Sequence, residues 1–502
     1  MKIHSKHFRQ MLAGAVFIIF LLSGCSSQVS NQGGDILEDT ESMEKEMTPP
    51  KEIRNLTEAY DVILTGATKE FIAGYPLDDS YLMWLTAEYG EDNLLKIAYA
   101  VLDGEQDEDI WYEITGNSIH VLWTLYCENT GMKPEMQKNV AWTACNSEEE
   151  IVISFTGDFN LAEDWYTMER YIDAKNDLSE CIDAELLREM QSADILMMNN
   201  EFVYSDNKEA LEGKAYTFRA DLERIQILEE FGVDIVSLGN NHTYDFGEEG
   251  LLDTLDVLDD AGVAYIGAGR NLDEAKKIVY FVANGKKIAF VSATEIERTK
   301  KYTKEATEDA AGVLKTLYPQ VFCEVIEEAA KYSDYVIAIP HWGSEGTLYP
   351  DASQLRLAKL YEKAGADAII GGHPHRLQGA GFINDTPVAY SIGNFWFSTG
   401  TLYTTLAQVV ISSDGKLTLK FLPCVQKDLT TSLITDKTEK DEFYHYIAAI
   451  SSNIGIDAAG NVYNTKETER EFLYNSNDST TPVRGGRDND GFAIDIVGNR
   501  IE

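Results

Sequence analysis

Residues 151–158 read Ile-Val-Ile-Ser-Phe-Thr-Gly-Asp, an apolar run that ends on a glycine and a carboxylate. A short run rich in Ile and Val predicts a strand that is buried within a sheet. Open α/β sheets carry their functional groups just beyond the carboxyl ends of such strands. This stretch therefore predicts an α/β fold whose chemistry collects along one edge of a sheet.

The same pattern recurs along the chain, with amphipathic segments between several of the apolar runs. Buried strands are predicted at 151–155, 194–198, 233–238, 263–266, 335–339 and 368–370, and helices at 251–258 and 354–361. Asn284-Gly285 and Asp414-Gly415 each lie between two apolar runs, which is typical of a β-hairpin. We therefore expect layered sheets flanked by helices, with some antiparallel strand pairs.

The first 24 residues predict a secretory signal. Lys2, Lys6 and Arg9 precede an apolar run at 11–22, which is too short to span a bilayer. Leu22-Ser23-Gly24-Cys25 resembles the lipobox of bacterial lipoproteins, so Cys25 is predicted to be lipidated and the protein anchored on the outer face of the bacterial cell membrane. An ordinary signal peptide with a chance cysteine, or an uncleaved anchor, is the alternative. Residues 25–50 are polar and aperiodic, which predicts a disordered tether.

Three further segments follow the tether. Residues 51–147 place aromatic and apolar side chains at helical spacing, which predicts a small helical domain of unknown role, with His120 packed rather than ligating. The α/β domain is placed at 151–463, and 464–502 is predicted to be a polar C-terminal tail.

The cysteines after Cys25 show no CxxC spacing, so free thiols are expected, with a Cys127–Cys145 disulfide as the alternative.

The charge balance restricts the partners. Of 502 residues, 84 are Asp or Glu and 42 are Lys or Arg, which gives a formal net charge of −42. Coulomb repulsion then opposes binding to nucleic acid or to an anionic bilayer. An anionic substrate would need a local cationic centre, such as a bound metal.

Side chains of the ligand type follow five of the predicted strands. They are Asp158, then Asn199, Asn200 and Glu201, then Asn240, Asn241 and His242 with Asp245, then His341, and finally His373 and His375. Carboxylate, amide oxygen and neutral imidazole suit hard and borderline divalent cations. Any one of these residues could be a loop residue that satisfies local backbone groups. Their recurrence at five strand ends favours a metal centre.

From residue 151 to about 425 the motifs resemble those of the CapA (poly-γ-glutamate capsule biosynthesis) family, whose domain has a calcineurin-like metallophosphoesterase fold. The motifs are Gly157-Asp158, Asn200-Glu201, Asn240-Asn241-His242 with Asp245-x-Gly247, His341-Trp342-Gly343 with Glu345, Gly372-His373-Pro374-His375 with Gln378, and Tyr-Ser-Ile-Gly-Asn-Phe at 390–395. The expected fold is therefore α/β: a layered metallophosphatase-like β-sheet sandwich flanked by helices, with a small mainly helical N-terminal domain.

The resemblance also implies residue roles. Asp158, Glu201 and His375 would form a first metal site, and Asn241, His341 and His373 would form a second site that shares Glu201. His242 would protonate the leaving group or steady the transition state. One or two divalent ions are implied, with Mn, Fe and Zn all compatible. Residues in the second shell or near substrate would be Asn160, Asn240, Asp245, Glu345, Gln378 and Arg219.

The roles of two of these residues, Asn160 and Arg219, are open to more than one interpretation. Asn160 stands where the wider fold usually has a histidine, which implies weaker metal binding at the first site and a contribution, if any, through its amide oxygen. Arg219 could bind a phosphate or carboxylate in bidentate fashion, or could be a structural ion-pair partner.

Two functions are compatible with these features. The first is a surface-anchored lipoprotein in the biosynthesis or export of a poly-γ-glutamate-type capsule, which would work with membrane polymer-synthesis proteins. The second is an extracytoplasmic phosphoesterase that depends on divalent metal and acts on a phosphate ester. A surface-binding protein with a decayed site, in which 51–147 carry the function, is a third.

Overall fold

The computed structural model describes residues 53–69, 71–72, 75–104, 109–132, 139–298 and 301–465, together with the strands at 484–487 and 493–495. The predicted signal segment, the lipidation site Cys25 and the predicted tether lie outside these residues, as does most of the predicted tail. Within the described part of the chain, no helix has both the length and the apolar character needed to cross a bilayer.

In the described residues a bundle of short helices comes first. These helices are α1 (Leu56–Gly66), α2 (Asp79–Tyr89), α3 (Glu91–Asp103), α4 (Asp109–Thr115) and α5 (Ile119–Thr130). Side chains of Asn55, Asp78 and Ser118 cap the first turns of α1, α2 and α5. The helices surround an apolar core of their own that contains Tyr81 and Trp111. The predicted helical character of this region is therefore confirmed.

The strands begin after this bundle and continue to the end of the described chain. They are β1 (Val140–Trp142), β2 (Glu150–Phe159), β3 (Ile195–Asn200), β4 (Val203–Tyr204), β5 (Arg219–Ala220), β6 (Ile235–Ser237), β7 (Ala264–Ile266), β8 (Ala268–Gly269), β9 (Val279–Ala283), β10 (Lys286–Thr294), β11 (Gly312–Val313), β12 (Tyr335–His341), β13 (Ala368–Ile370), β14 (Ala380–Ile383), β15 (Thr386–Ala389), β16 (Asn394–Trp396), β17 (Leu402–Ser412), β18 (Leu417–Lys427), β19 (Thr430–Leu433), β20 (Ile454–Ile456), β21 (Val462–Asn464), β22 (Arg484–Arg487) and β23 (Ala493–Asp495).

Helices and 3₁₀ turns connect many of these strands. They are α6 (Tyr166–Asp173), η1 (Leu178–Glu180), α7 (Ala184–Gln191), η2 (Leu222–Arg224), α8 (Ile225–Phe231), α9 (Gly247–Ala261), α10 (Leu272–Ala275), α11 (Pro319–Tyr332), α12 (Ala352–Ala364) and α13 (Lys437–Ala449). All six predicted strands and both predicted helices are present, and most of them are longer or shorter than predicted by a few residues at their ends.

Two large sheets organise the α/β part among the described residues. One has seven strands in the order β1-β9-β10-β12-β13-β15-β14, and the other has eight in the order β19-β18-β17-β2-β3-β6-β7 with β16 beside β2. The run β2-β3-β6-β7 and the run β10-β12-β13-β15 are parallel, whereas β9–β10 and β17–β18 are antiparallel hairpins. Both hairpins predicted from Asn-Gly and Asp-Gly are confirmed.

The alternation of side chains along each strand explains the layering. In β3, Ile195 and Met197 pack in the core between the two sheets, while Leu196 and Met198 pack in the core that contains residues of α7 to α9. The other sheet likewise packs its outer face against α11 and α12. The predicted sandwich of sheets flanked by helices is confirmed by this order of helix, sheet, sheet and helix.

Four aspartates, each placed just before a parallel strand, fix the register of that strand against its neighbour. We call these four residues the aspartate clamps. Their Oδ2 atoms accept backbone N–H groups of the neighbouring strand: Asp194 from Val152 at 2.7 Å, Asp234 from Leu196 at 2.8 Å, Asp334 from Lys287 at 2.8 Å and Asp367 from Val336 at 2.9 Å. A slip of one residue would turn every apolar side chain to the wrong face, so these contacts support a single register.

The helical region is tied to the α/β part. Strand β1 follows α5 and pairs in parallel with β9 at the edge of the seven-stranded sheet. The hydroxyl of Tyr112 donates to the backbone oxygen of Lys331 at 2.6 Å. The segment predicted as a helical domain at 51–147 thus also supplies a strand to the sheet, and the domain boundaries stay a prediction.

Several smaller expectations can be compared with the structure. His120 is 6% exposed, and its Nδ1 lies 2.6 Å from the Tyr75 hydroxyl, as expected for a packed histidine. The alternative of a Cys127–Cys145 disulfide is wrong, because both thiols are free. In the region predicted as a polar tail, β22 and β23 pair with each other in an antiparallel ribbon.

Candidate metal centre

The carboxyl ends of β2, β3, β6, β12 and β13 meet at one edge of the two sheets, and the predicted ligands lie there together. Asp158 is in β2, Glu201 directly follows β3, and His341 is the last residue of β12. His373 and His375 follow β13 with φ values of 96° and 54°, a backbone conformation that non-glycine residues rarely adopt. Such local strain is characteristic of functional sites, where surrounding contacts hold it in place.

Glu201 lies at the middle of the group. Its carboxylate is fully buried, and neither oxygen has a hydrogen-bond partner. Oε1 lies 3.5 Å from Nε2 of His341 and 3.9 Å from Nε2 of His375. The ligand atoms of Glu201, His373 and His375 all lie within 4.8 Å of one another.

Asp158 and His375 form the side of the group that was assigned to the first metal site. Nδ1 of His375 lies 3.1 Å from Oδ2 of Asp158 and 2.8 Å from Oδ1 of Asn394. The other carboxylate oxygen of Asp158 accepts a hydrogen bond of 2.8 Å from the amide of Asn199. Asn199 and Asn394 therefore orient the carboxylate and the imidazole from behind.

Asn241 and His341 form the opposite side, which was assigned to the second site. Oδ1 of Asn241 lies 2.8 Å from Nε2 of His341. The ring of His341 lies beside that of His373, with 4.9 Å between their centroids. Nδ1 of His373 is buried and has no hydrogen-bond partner. The structure thus brings the other five predicted ligands together with Glu201.

Burial and mutual charge control the protonation of the group. Burial lowers the pKa of His341 to about 3 and that of His373 well below its usual value, so both imidazoles are neutral at physiological pH. Burial raises the pKa of Glu201 well above its usual range, and the charge of Asp158 raises it further. Burial opposes the charged form of His375, but Glu201 and Asp158 prevail and raise its pKa to about 10.

These residues fit a divalent cation. Two buried carboxylate oxygens without partners are costly unless a positive charge compensates them. Neutral imidazoles, an amide oxygen and carboxylates are the donor set that such a cation accepts. The fit rests on the chemistry and burial of the donors.

His242 lies at the rim of the group, and Asp245 holds its ring on the side away from Glu201. Its Nδ1 is 2.7 Å from Oδ2 of Asp245, and its Nε2 is 3.9 Å from Oε1 of Glu201. Oδ1 of Asp245 lies 2.5 Å from Nζ of Lys214, whose side chain is only 6% exposed. The pKa of His242 is lowered by burial, and Asp245 opposes that shift.

The other predicted residues have diverse positions. Asn160 uses its amide oxygen to accept from the backbone of Ala162 at 2.8 Å, so that oxygen is engaged locally. Oδ1 of Asn240 accepts the backbone N–H groups of His242 and Thr243, which shapes the ligand loop. Glu345 is exposed, and its charge raises the pKa values of Glu201 and His375.

Gln378 and Arg219 do not face the ligands. Gln378 accepts from the amide of Gln354 at 2.8 Å and donates to the backbone of Thr347, which ties α12 to the loop that precedes it. Arg219 pairs with Asp221 at 2.7 Å and donates to the backbone oxygen of Ser205. Of its two alternatives, Arg219 therefore takes the position of a structural ion-pair partner.

Three residues near the site had no predicted role. Asn199 lies near the end of β3, beside the Asn200-Glu201 motif, and Asn394 lies in the 390–395 motif as the first residue of β16, so these motifs are the signal that could have identified both. Lys214 lies in a polar loop between β4 and β5, and nothing in the surrounding sequence distinguishes it from a lysine that is exposed to solvent. Only the fold shows that its side chain is buried against Asp245.

Comparison with known proteins finds similarity to two capsule biosynthesis proteins. Over 220 residues the chain is 33% identical to the PGA biosynthesis protein CapA of Bacillus subtilis (strain 168), a match that covers 43% of this chain and 57% of that protein. Over 260 residues it is 30% identical to the capsule biosynthesis protein CapA of Bacillus anthracis, covering 50% and 61%. The chain thus spans less than two thirds of the length of either relative.

Two solved structures share a weaker overall likeness. They are TT1561 of Thermus thermophilus, with 11% identity and a TM-score of 0.32, and the 5′-nucleotidase of Candida albicans SC5314, with 13% identity and a TM-score of 0.29. Each match covers 54% of this chain, and they cover 98% and 48% of the respective other chains.

A family profile gives the most direct assignment. Residues 152–399 match the profile described as Bacterial capsule synthesis protein PGA_cap. The matched segment begins in β2, ends four residues after the 390–395 motif, and contains every ligand-type residue that surrounds Glu201. This segment, 248 of the 502 residues, therefore carries the similarity to the bacterial capsule synthesis protein PGA_cap family.

Proposed function

We propose that this protein acts in the synthesis or export of a poly-γ-glutamate-type capsular polymer at the outer face of the bacterial membrane. The observation that carries the proposal is the buried Glu201 carboxylate, whose partnerless oxygens lie among His341, His373 and His375 in a PGA_cap domain. The relatives whose names refer to PGA or capsule biosynthesis support the polymer class.

Electrostatics explains why the polymer role would need a cation. A chain with a formal net charge of −42 repels an anionic polymer unless a positive centre lies at the contact. When bound, a divalent cation supplies that charge and Lewis acidity. Glu201, Asp158 and the three histidines would hold it, and Asn199 and Asn394 would keep Asp158 and His375 in orientation.

The location and partners are part of the same proposal. Lipidation at Cys25 would anchor the protein to the outer face of the membrane, and residues 25–50 would tether the folded part. Membrane polymer-synthesis proteins are the expected partners, since the polymer must pass from its synthesis to the surface. The lipobox motif and the polar composition of the following segment support this arrangement.

Binding of oligo-γ-glutamate to the full chain in detergent tests this proposal. We expect binding that requires added Mn²⁺ or Zn²⁺ and is lost in Glu201→Gln, but is kept in Glu185→Gln, which changes an exposed carboxylate of α7. Metal content should be measured in the same samples. Absence of binding to the metal-loaded wild type would contradict the polymer role.

A second candidate is a phosphoesterase of the extracytoplasmic space, and the position of His242 favours it. Asp245 accepts the proton on Nδ1 of His242, so Nε2 is the atom that faces Glu201, and the doubly protonated ring would give its Nε2 proton to a leaving oxygen and return to the neutral form. Hydrolysis of phosphomonoesters and phosphodiesters with added Mn²⁺, compared with His242→Ala, tests this candidate. Activity that persists in His242→Ala at the wild-type rate would contradict the role of His242.

A further inference from the structure

We propose that a row of aromatic side chains beside the metal centre binds the ring of a small phosphate ester, either a sugar phosphate or a nucleoside phosphate. We call this row the aromatic wall and define it as Trp165, Tyr216, Phe218 and Phe397. The proposal rests on the phosphoesterase candidate, because it specifies the alcohol part of the ester.

The inner end of the aromatic wall touches the metal centre on two sides. The ring of Phe218 lies 4.4 Å from that of His242, and the ring of Phe397 lies 4.7 Å from that of His375. Phe218 and Phe397 also pack against each other, with 5.5 Å between their centroids. A group that reaches His242 and His375 therefore passes next to these two rings.

The outer end of the wall is exposed. The ring centroid of Trp165 lies 4.9 Å from that of Phe218 and 6.0 Å from that of Phe397, and Tyr216 makes a T-shaped contact with Trp165 at 6.2 Å. The side chain of Tyr216 is 63% exposed. Phe218 and Phe397 belong to the core that the fold requires, whereas core packing does not account for Tyr216.

Hydrogen bonds hold the wall in position. The backbone N–H of Phe218 donates to Oδ2 of Asp245 at 2.8 Å, the same oxygen that contacts His242. The indole N–H of Trp165 donates to the backbone oxygen of Phe397. Because these contacts fix the rings relative to His242, the wall is preorganised for a ligand that reaches the metal centre.

The chemistry of the wall selects the ligand class. Aromatic faces bind flat, weakly polar ring faces, as with bases stacked on aromatic side chains. A neutral ring also avoids the repulsion that extra carboxylates would meet on a chain with a net charge of −42. A single phosphate at the metal centre and an uncharged ring on the wall satisfy both conditions.

Four probes can test the proposal by calorimetry on the full chain in detergent with Mn²⁺. They are glucose 1-phosphate, adenosine 5′-monophosphate, glycerol 3-phosphate and inorganic phosphate. We expect one of the two ring esters to bind at least about fivefold more tightly than glycerol 3-phosphate. The preferred ring ester then identifies the sugar or the nucleoside as the source.

Three variants separate the wall from the metal centre. The advantage of the ring ester should disappear in Tyr216→Ala and persist in Tyr216→Phe. It should also persist in Tyr463→Ala, which removes another exposed tyrosine, from β21. An advantage that survives in Tyr216→Ala would overturn the proposal.

The outcomes also distinguish this proposal from the function on which it rests. Equal binding of ring esters, glycerol 3-phosphate and inorganic phosphate to the wild type would overturn the aromatic wall alone. Absence of binding by all four probes in metal-loaded protein would overturn both the phosphoesterase candidate and the wall.

Discussion

Nδ1 of His242 lies 2.7 Å from Oδ2 of Asp245 in a buried contact. Because a carboxylate oxygen accepts, Nδ1 carries a proton in this contact, and Nε2 is directed toward Glu201. Lys214 holds the second oxygen of the same carboxylate. The orientation of His242 therefore depends on residues that do not touch the ligand group themselves.

Replacing Asp245 by Asn should lower phosphoesterase turnover by about a hundredfold or more while metal content stays unchanged. The amide nitrogen would face either Lys214 or the pair of donors from His242 and Phe218, so one buried donor would face another. Turnover and bound metal should be measured on the same samples. Asp256→Asn, an exposed change on α9, serves as the control, and parallel loss of metal in Asp245→Asn would contradict the assigned role.

Replacing Glu201 by Gln should have opposite effects with and without metal. Without metal the variant should melt at a higher temperature, because a buried carboxylate whose oxygens have no partner is replaced by a neutral amide. With metal, the wild type should gain stability while the variant gains little, since affinity falls by at least about tenfold. Thermal melting with Mn²⁺ and with chelator measures both effects. A lower melting temperature for the metal-free variant would contradict the first expectation.

Replacing Gly157 by Ala should destabilise the fold by about 3 kcal/mol. An added Cβ would lie 1.9 Å from the backbone oxygen of Gly393, which accepts the N–H of Asp158 at 2.8 Å. Urea unfolding measures the change. Gly381→Ala is the matched control, because its Cβ would meet nothing closer than 3.7 Å. Similar midpoints for the two variants would show that the Gly157 contact relaxes.

The pH dependence of stability should change in Asp234→Asn. Burial raises the pKa of Asp234 to about 6 in the folded protein, whereas an unfolded Asp titrates near about 3.9. The folded state thus binds this proton more tightly than the unfolded state does. The resulting contribution of Asp234 to the free energy of unfolding is fully present below about pH 4 and is lost as the pH rises through about 6. The stability of the wild type relative to the variant should fall between those values and stay constant above about pH 7. Urea midpoints from pH 4 to 8 test this, and a constant difference would contradict it.

Replacing Cys25 by Ser should release the protein from the membrane fraction. Lipidation of Cys25 would be the main anchor, because the predicted signal segment is removed before it. Fractionation followed by immunodetection measures the distribution. A Cys323→Ser variant, which changes a cysteine of α11, should stay attached. Retention of Cys25→Ser in the membrane fraction would contradict the lipid anchor.

The framework of the α/β part was predictable because its signals are local. Apolar runs such as 195–198 identify strands, and Asn284-Gly285 supplies the two positive φ values, 46° and 68°, that a tight hairpin needs. The register was not predictable, since the aspartate clamps act between strands that lie up to 47 residues apart in sequence. Strand order likewise depends on packing between distant segments.

In the site, too, some features follow from local sequence and others depend on contacts between distant segments. Glu201, His341, His373 and His375 lie at the ends of predicted strands, so their place at the carboxyl edge of a sheet could be predicted locally, whereas their grouping into one site was implied by the family resemblance. Lys214 could not be predicted, because its burial depends on the loop between β4 and β5 folding onto Asp245. The two alternatives for Arg219 also needed the fold, which places Asp221 and Ser205 within reach.

The aspartate clamps lie at the amino ends of the parallel strands, and the ligand-type residues lie at the carboxyl ends. Alignment of the strands is therefore secured far from the edge where the chemistry is located. Substitutions among the ligand-type residues are therefore expected to leave the alignment intact. A scaffold of this kind can exchange its metal, its substrate or its whole activity over evolutionary time without having to find a new way to fold.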